Sequence, residues 1–266
     1  MGSEERPGLW AAADAYQRYM GRWSRKVAPL FLDWLHAPHG MSWADVGCGT
    51  GELSLLIASR FGPSRLIGID TSAAFLAHAA RRVPSGEFRE GDASRLGLPD
   101  GGLDYAVSGL VLNFLPDKPG ALAEMVRVVR FGGTVALYVW DYAGQMQIMR
   151  HLFDAARRID PASSSWDDGV NAPICRPGPL AEAFAAAGLA GPETIALDIP
   201  AAFVDFEDYW RPFLGGTGSA PRYLASLDEG TRNRIRDAIR ESLPIGPDGE
   251  ILLAARAWGV KGRVPG

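Results

Sequence analysis

With 266 residues, 47% of them hydrophobic and 22% charged, the chain is long enough to bury a sizeable globular core without disulfides or metals. A net charge of -4 and scattered arginines exclude an open basic groove for nucleic acid; the pairs Arg81-Arg82 and Arg157-Arg158 read as solvated helix faces. Cys48 and Cys175 stand far apart without metal-ligand partners at usable spacing, which excludes a disulfide framework and a metal centre and points to a reduced, intracellular protein. The opening MGSEERPGLW has no apolar run of signal-peptide length, and Arg6 breaks the myristoylation pattern. No stretch approaches the about 18 apolar residues of a membrane span, so a cytoplasmic location without membrane contact is expected.

Strands alternate with helices from Ser42 to Asp141, which predicts βαβ units and a parallel sheet. Ser42–Gly47 reads as the first strand and Glu52–Phe61 as a helix. Arg65–Asp70 is a second strand, followed by a helix over Ser72–Val83. Glu87–Asp92 is short and polar, as suits a strand near a sheet edge, and Leu103–Gly109 is the fourth strand. Leu122, Met125, Val126 and Val129 then recur at helical spacing, with Glu124, Arg127 and Arg130 on the other face. Gly132-Gly133 is expected to stop that helix, and Thr134–Trp140 reads as a buried fifth strand.

Beyond Asp141 the rhythm changes. Met146–Arg158 predicts a helix, Ser163–Ser165 a loop, and Pro179–Ala187 a helix closed by Gly188. Ile195–Pro200 and Ile251–Trp258 predict two more strands. The long insertion between them, Ala201 to Gly249, contains a capping-box pattern at Ser226 and Glu229. The helix that follows would carry Leu227, Ile235, Ile239 and Leu243 and end at Pro244.

The most informative stretch is Asp45-Val46-Gly47-Cys48-Gly49-Thr50-Gly51-Glu52, at the end of the first strand and the start of a helix. Doubly wound folds bind nucleotides there, because glycine permits the sharp turn and the helix start offers unpaired N–H groups. The spacing is G-x-G-x-G, with Glu52 where a dinucleotide fingerprint has its third glycine. A carboxylate there would repel a pyrophosphate and is harmless beside a ligand without phosphate. Alone, such a turn is weak evidence and can occur without any ligand. Asp70, followed by Thr71, ends the second strand, where a carboxylate can accept from both hydroxyls of a ribose. Asp92 ends the third, where it can accept from an adenine amine. Three ligand groups at consecutive strand ends are hard to obtain by chance.

DVGCGTGEL, GIDTS and EGDASRLGLPDGGLDYAVS together resemble the successive motifs of class I S-adenosylmethionine-dependent methyltransferases. LNFLPD followed by RFGGTVALYVWDY is similar to the small-molecule branch that contains ubiquinone and sterol methyltransferases. The resemblance is close over residues 43–142 and holds only in outline elsewhere. It implies a doubly wound, mostly parallel seven-stranded α/β sheet of Rossmann-like type, its last strand antiparallel, with helical insertions as a lid. It implies S-adenosylmethionine as cofactor, in-line methyl transfer to a small organic acceptor, and no metal. Gly47, Gly49 and Gly51 would line the methionine moiety, with Asp45 supporting the turn. Asp70 would hold the ribose, Asp92 and the N–H of Ala93 the adenine, and Gly109 and Leu110 would lie beside the sulfonium. Two positions depart from the pattern: Phe131 stands where proline is usual, and Asn113 where many relatives have histidine.

The expected organisation is an N-terminal helical cap over 1–40, a cofactor-binding core over 41–200 and 249–262, and an acceptor lid over 201–248, with 142–176 contributing. Candidate pocket residues are Tyr19, Trp23, Tyr142, Phe203, Tyr209, Trp210 and Phe213; packing of a small helical core would explain the same rings. Tyr16, Tyr19, Arg22 and Trp23 fall at near-helical spacing. Because a sulfonium is already activated, alignment is the main requirement, and a base is needed only for a protonated acceptor. His36, His39 and His78 read as structural or solvated. His151, Asp141 and Asn113 remain the candidates for such a role, with Tyr142 beside Asp141. A nicotinamide-dependent oxidoreductase would need the missing glycine and a Tyr-x-x-x-Lys that is absent. A regulatory protein that binds S-adenosylmethionine without turning it over would keep every motif.

Overall fold

The computed structural model describes residues 21–215 and 218–266. Tyr16 and Tyr19 lie outside the described residues. The chain divides into two compact units. One comprises 25–140, 174–197 and 257–266; the other comprises the described residues up to Ser24, 141–173 and 198–256. Residues 25–40 group with the sheet in the first of these units.

The first unit holds the sheet. Helix α1 (Arg22–Leu35) buries Val27, Ala28, Phe31, Leu32 and Leu35, a stripe recurring every three to four residues. Strand β1 (Ser42–Val46) leads into the glycine turn and α2 (Glu52–Phe61); β2 (Arg65–Asp70) leads into α3 (Ala73–Arg82), capped by the Ser72 hydroxyl. Strands β3 (Glu87–Glu90) and β4 (Leu103–Gly109) follow, then α4 (Lys118–Val128) and β5 (Val129–Trp140). With β6 (Ala190–Phe203) and β7 (Ile251–Arg263), the seven strands lie in the order β3-β2-β1-β4-β5-β7-β6.

β1 pairs in parallel with β2 (Asp45 opposite Gly68) and with β4 (Asp45 opposite Val107), and β7 pairs antiparallel with β5. The chain direction reverses its strand order at β1 and β4, so the loops after β1, β2 and β4 converge at one end of the sheet. Central strands covered on both faces read as unbroken apolar runs; Trp43, Ala44, Ile67, Ala106 and Val107 are fully shielded.

The sheet corrects several expected boundaries. Strand β3 stops at Glu90, so Asp92 lies in the loop beyond it. Helix α4 ends at Val128, and Gly132-Gly133 does not stop it: both lie inside β5, where Gly132 donates to the Val264 carbonyl at 2.9 Å and Val264 to that of Gly133 at 3.0 Å. Val129 accordingly belongs to the strand. β5, β6 and β7 all run longer than expected; β7 continues to Arg263 because its antiparallel pairing with β5 runs from Trp140–Ala257 to Thr134–Arg263.

The second unit is mainly helical. α5 (Gln147–Ile159) buries Ile148, Met149, Leu152, Phe153, Ala155 and Ala156 on one face. After it come a 3₁₀ turn (Pro161–Ser165, expected as a loop) and α6 (Asp168–Asn171); α7 (Pro177–Ala186) belongs to the sheet unit. Beyond β6 lie α8 (Phe206–Trp210), a 3₁₀ turn (Arg211–Leu214), α9 (Ser219–Ser226) and α10 (Glu229–Ser242). The cap of α10 is Asp228, which accepts from the Thr231 N–H at 2.9 Å. Ser226 instead ends α9 and bonds back to Tyr223, so the expected capping box does not form. Asp167, almost wholly buried, accepts from Arg150 at 2.6 Å, Arg157 at 2.7 Å and the Gly169 N–H at 2.8 Å. Arg157, itself 46% exposed, is thus a largely solvated residue that also pairs with a buried carboxylate.

Candidate active site

The turn after β1 is built from three left-handed glycines, with φ of 73° at Gly47, 52° at Gly49 and 81° at Gly51. Gly47 and Cys48 donate to the Ile69 carbonyl at 2.7 and 3.0 Å, and Gly51 donates to that of Cys48 at 2.9 Å. The three differ in what surrounds them. A Cβ at Gly47 would stand 2.6 Å from Val111, and one at Gly51 would stand 2.9 Å from Ala79. A Cβ at Gly49 would meet nothing within 4 Å. Gly47 and Gly51 therefore admit close packing, while Gly49 faces open space, where a ligand can touch the backbone.

Asp70 is bonded to this turn. Its Oδ2 accepts from the Gly49 N–H at 2.9 Å and its Oδ1 from the Ser72 N–H at 3.0 Å. A carboxylate has about four acceptor positions, so each oxygen keeps capacity for a ligand hydroxyl. Thr71 is exposed between them. Asp92 is exposed; its Oδ1 accepts from the Ser94 N–H at 2.7 Å and hydroxyl at 2.6 Å. Those bonds hold its carboxyl below the usual range, and Oδ2 has no protein donor among the described residues. Ala93 beside it is buried.

On the β4 side, a Cβ at Gly109 would come within 2.6 Å of the Tyr138 hydroxyl. Leu110 adopts φ 63°, held there by its N–H bond to the Tyr138 carbonyl at 2.8 Å. Left-handed geometry costs a branched side chain about 1–2 kcal/mol and is concentrated at functional sites. Beneath the turn, Asp45 is buried, and Ser54 donates its hydroxyl to Oδ2 at 2.6 Å. Burial pushes the Asp45 carboxyl up to about 7, against the Ser54 bonds and with a small push from Asp70.

Sequence reasoning missed Arg82. Its guanidinium donates to the Glu52 carboxylate at 2.8 Å and to the Thr50 carbonyl at 3.2 Å, so it is engaged with the turn and not merely solvated. No periodicity signals such a role, because the partners are about thirty residues away in sequence. The pairing also leaves Glu52 neutralised by protein. The turn thus presents a carboxylate with unused acceptor positions and an open glycine, and the Arg82 cation beside it is already paired with Glu52.

Of the other candidates, all but Asn113 among the described residues lie in the second unit. Asp141 is buried, accepting from the Gly144 N–H at 3.1 Å and the Gln145 N–H at 2.8 Å, which makes it the anchor of a turn. His151, half-buried on α5, has Nδ1 3.2 Å from the Ser242 hydroxyl, and burial pulls its pKa down. Asn113, in the sheet unit, sits half-buried in the 3₁₀ turn Leu112–Phe114. Trp23, Phe203, Tyr209, Trp210 and Phe213 come together as one buried ring cluster: Trp23 and Phe203 centroids are 5.2 Å apart, Phe203 and Tyr209 5.2 Å, Tyr209 and Phe213 5.3 Å. The Tyr209 hydroxyl donates to the Ile148 carbonyl at 2.8 Å. Tyr142 is also buried; Tyr19 lies outside the described residues. Among the described residues no group of three or more His, Cys, Asp or Glu side chains is placed to hold a metal, and no helix is long and apolar enough to cross a membrane.

Residues 44–137 match the family model for the methyltransferase domain. The chain is 29% identical to trans-aconitate 2-methyltransferase of Deinococcus radiodurans over 75% of its own length and 77% of that protein. It is 32% identical to malonyl-[acyl-carrier protein] O-methyltransferase of Serratia marcescens, over 56% of its length and 59% of that protein, less than two thirds of the latter. In fold it resembles Haemonchus contortus phosphoethanolamine N-methyltransferase 2 in complex with S-adenosyl-L-methionine, with a TM-score of 0.59 at 15% identity, covering 96% of this chain and 57% of that one. A glycine turn tied to a carboxylate, on a seven-stranded sheet of this order, agrees with those matches: residues 44–137 carry a methyltransferase domain, and the chain is similar to S-adenosylmethionine-dependent methyltransferases of small molecules.

Proposed function

We propose that the loops after β1, β2 and β4 hold S-adenosylmethionine and that the chain directs its methyl group onto a small organic acceptor by in-line displacement. The observation that carries this reading is the bond between the Gly49 N–H and Asp70, which joins the open face of the turn to a carboxylate with unused acceptor positions. When bound, S-adenosylmethionine supplies a methyl group already activated by a sulfonium. The chain's own residues then have to bind and orient. Asp70 would accept from the ribose hydroxyls, and Asp92 Oδ2 with the Ala93 N–H would read the base. Gly47, Gly49 and Gly51 would admit the amino-acid end, with Gly109 and Leu110 on the opposite side. Orientation of this kind accounts for about 7–11 kcal/mol of barrier lowering, with no side-chain base required for an acceptor that is unprotonated.

Acceptor choice would reside in the second unit. Its segments 141–173 and 198–256 fall outside the family match at 44–137, the part of the chain that carries the cofactor turn. The cytoplasm is the location this reading favours, and a net charge of -4 favours a metabolite over nucleic acid.

Titration calorimetry tests the cofactor: S-adenosylmethionine and S-adenosylhomocysteine should bind at micromolar levels and NAD should not. The reverse preference would overturn the reading. Incubation with radiolabelled cofactor, beginning with trans-aconitate and malonyl thioesters, then identifies the acceptor.

A further inference from the structure

The structure assigns Arg82 a role that the family motifs do not mark: it is a positioning residue that sets cofactor affinity by clamping the glycine turn from outside. The inference rests on the cofactor reading above. Arg82 is the last residue of α3, three positions after Ala79, so the two share a face of the helix. Ala79 is the residue against which Gly51 packs, its Cβ 2.9 Å from where a Gly51 Cβ would be. Arg82 reaches past it with two arms of one rigid fork. One donates to the Thr50 carbonyl at 3.2 Å, the other to the Glu52 carboxylate at 2.8 Å. The residues on both sides of left-handed Gly51 are thereby tied to one group.

The consequence follows from peptide planarity. Holding the Thr50 oxygen fixes the whole Thr50–Gly51 peptide plane, and with it the Gly51 N–H that closes the turn onto the Cys48 carbonyl at 2.9 Å. The other end of the same helix is tied to the ribose-class carboxylate, because Ser72 both caps α3 and donates its N–H to Asp70. One ten-residue helix, about 15 Å long, thus braces two parts of the crevice against each other. Arg82 and Glu52 are each only about a quarter exposed (28% and 26%), so water screens their pairing less than that of a fully solvated pair. A planar guanidinium is needed for this: a lysine ammonium can neutralise Glu52 but cannot hold the carbonyl in the same fork geometry.

The test uses the full chain with Arg82→Ala, Arg82→Lys, Glu52→Gln and the double variant Glu52→Gln/Arg82→Ala. The probe is S-adenosylhomocysteine in titration calorimetry, with melting temperature recorded beside it. Arg82→Ala should weaken binding about tenfold and Arg82→Lys about threefold. The double variant should lose little more than Arg82→Ala alone. With an acceptor in hand, KM for S-adenosylmethionine should rise while kcat at saturation stays within twofold. General structural damage would instead lower kcat through a reduced active fraction and leave KM alone. If Arg82→Ala fails to fold, Arg82→Lys and Glu52→Gln decide the matter, since both keep most of the packing. Unchanged affinity in those variants, or strictly additive losses, overturns the positioning role while the wild-type titration leaves the cofactor reading intact. A wild-type protein that binds no S-adenosylhomocysteine overturns both.

Discussion

The Asp45 carboxylate and the Ser54 hydroxyl lie 2.6 Å apart in a space closed to solvent, joining the end of β1 to helix α2 directly beneath the glycine turn. The bond holds the two flanks of the turn together, but burial raises the Asp45 pKa from 3.8 to about 7. Between those values the folded chain binds more protons than the unfolded one, so this group's contribution to stability falls as pH rises from about 4 to 7 and is level above that. Asp45→Asn keeps an oxygen for Ser54 and removes the ionisation. The variant should match wild type near pH 4 and exceed it at pH 8 by roughly 2–4 kcal/mol. Urea unfolding at the two pH values checks this, and a gap that does not change with pH would show that Asp45 carries no burial penalty.

Gly49 and Gly51 share left-handed geometry but not surroundings, which separates binding from folding. Gly49→Ala should cost about 1 kcal/mol of stability from backbone strain alone and still weaken cofactor binding strongly, because its methyl group enters the open face of the turn. Gly51→Ala adds contact with the Ala79 backbone, 3.1 Å away, and should lower the melting temperature more. Thermal melts paired with calorimetry distinguish the two; equal melting losses would mean that the packing difference is immaterial.

Asp70 supports the turn through the Gly49 and Ser72 N–H groups and, in the proposed function, would hold the ligand's ribose as well. Asp70→Ala should weaken S-adenosylhomocysteine binding by about 1.5–3 kcal/mol, the worth of charge-assisted hydrogen bonds. It also strips partners from the Gly49 and Ser72 N–H groups. Asp70→Asn retains one acceptor and should lie between. If affinity is unchanged while stability falls, Asp70 serves the turn alone.

Legibility of the fold depended on how far each element is set by its own residues. β2, β4 and α2 end where their apolar runs end, because a glycine or a cap follows immediately. β5 and β7 could not be bounded this way: Gly132-Gly133 has every local mark of a helix stop, yet α4 ends four residues earlier, at Val128, and the pair is held in the sheet by Val264, more than 130 residues on. At α10 the choice between Ser226 and Asp228 turned on a two-residue shift that only the preceding helix settles. In the site, Gly49 and Asp70 were visible because strand ends in such sheets converge. Arg82 was not, since nothing in its neighbourhood separates an arginine facing water from one facing a carbonyl. The rings from Phe203 to Phe213 were legible as a cluster, and their burial follows from packing on one another and on α5 through Tyr209.

His151 has the chemistry of a general base but not its surroundings. Burial favours the neutral ring, and the neighbouring Asp154 only partly opposes it, so the ring is uncharged at neutral pH. Its Nδ1 already faces the Ser242 hydroxyl at 3.2 Å, and that hydroxyl in turn donates to the Ile239 carbonyl at 2.9 Å, so neither group is left without a partner when the ring is removed. Ser242 ends α10, and His151 lies on α5, so the contact ties two helices of the second unit. His151→Ala should therefore cost stability, about 1 kcal/mol for a lost half-buried contact, and keep substantial turnover. The pH dependence of kcat should keep its shape. A hundredfold loss of kcat in His151→Ala, together with loss of an inflection on the acid side, would instead show that the ring takes the acceptor's proton and that alignment alone does not suffice.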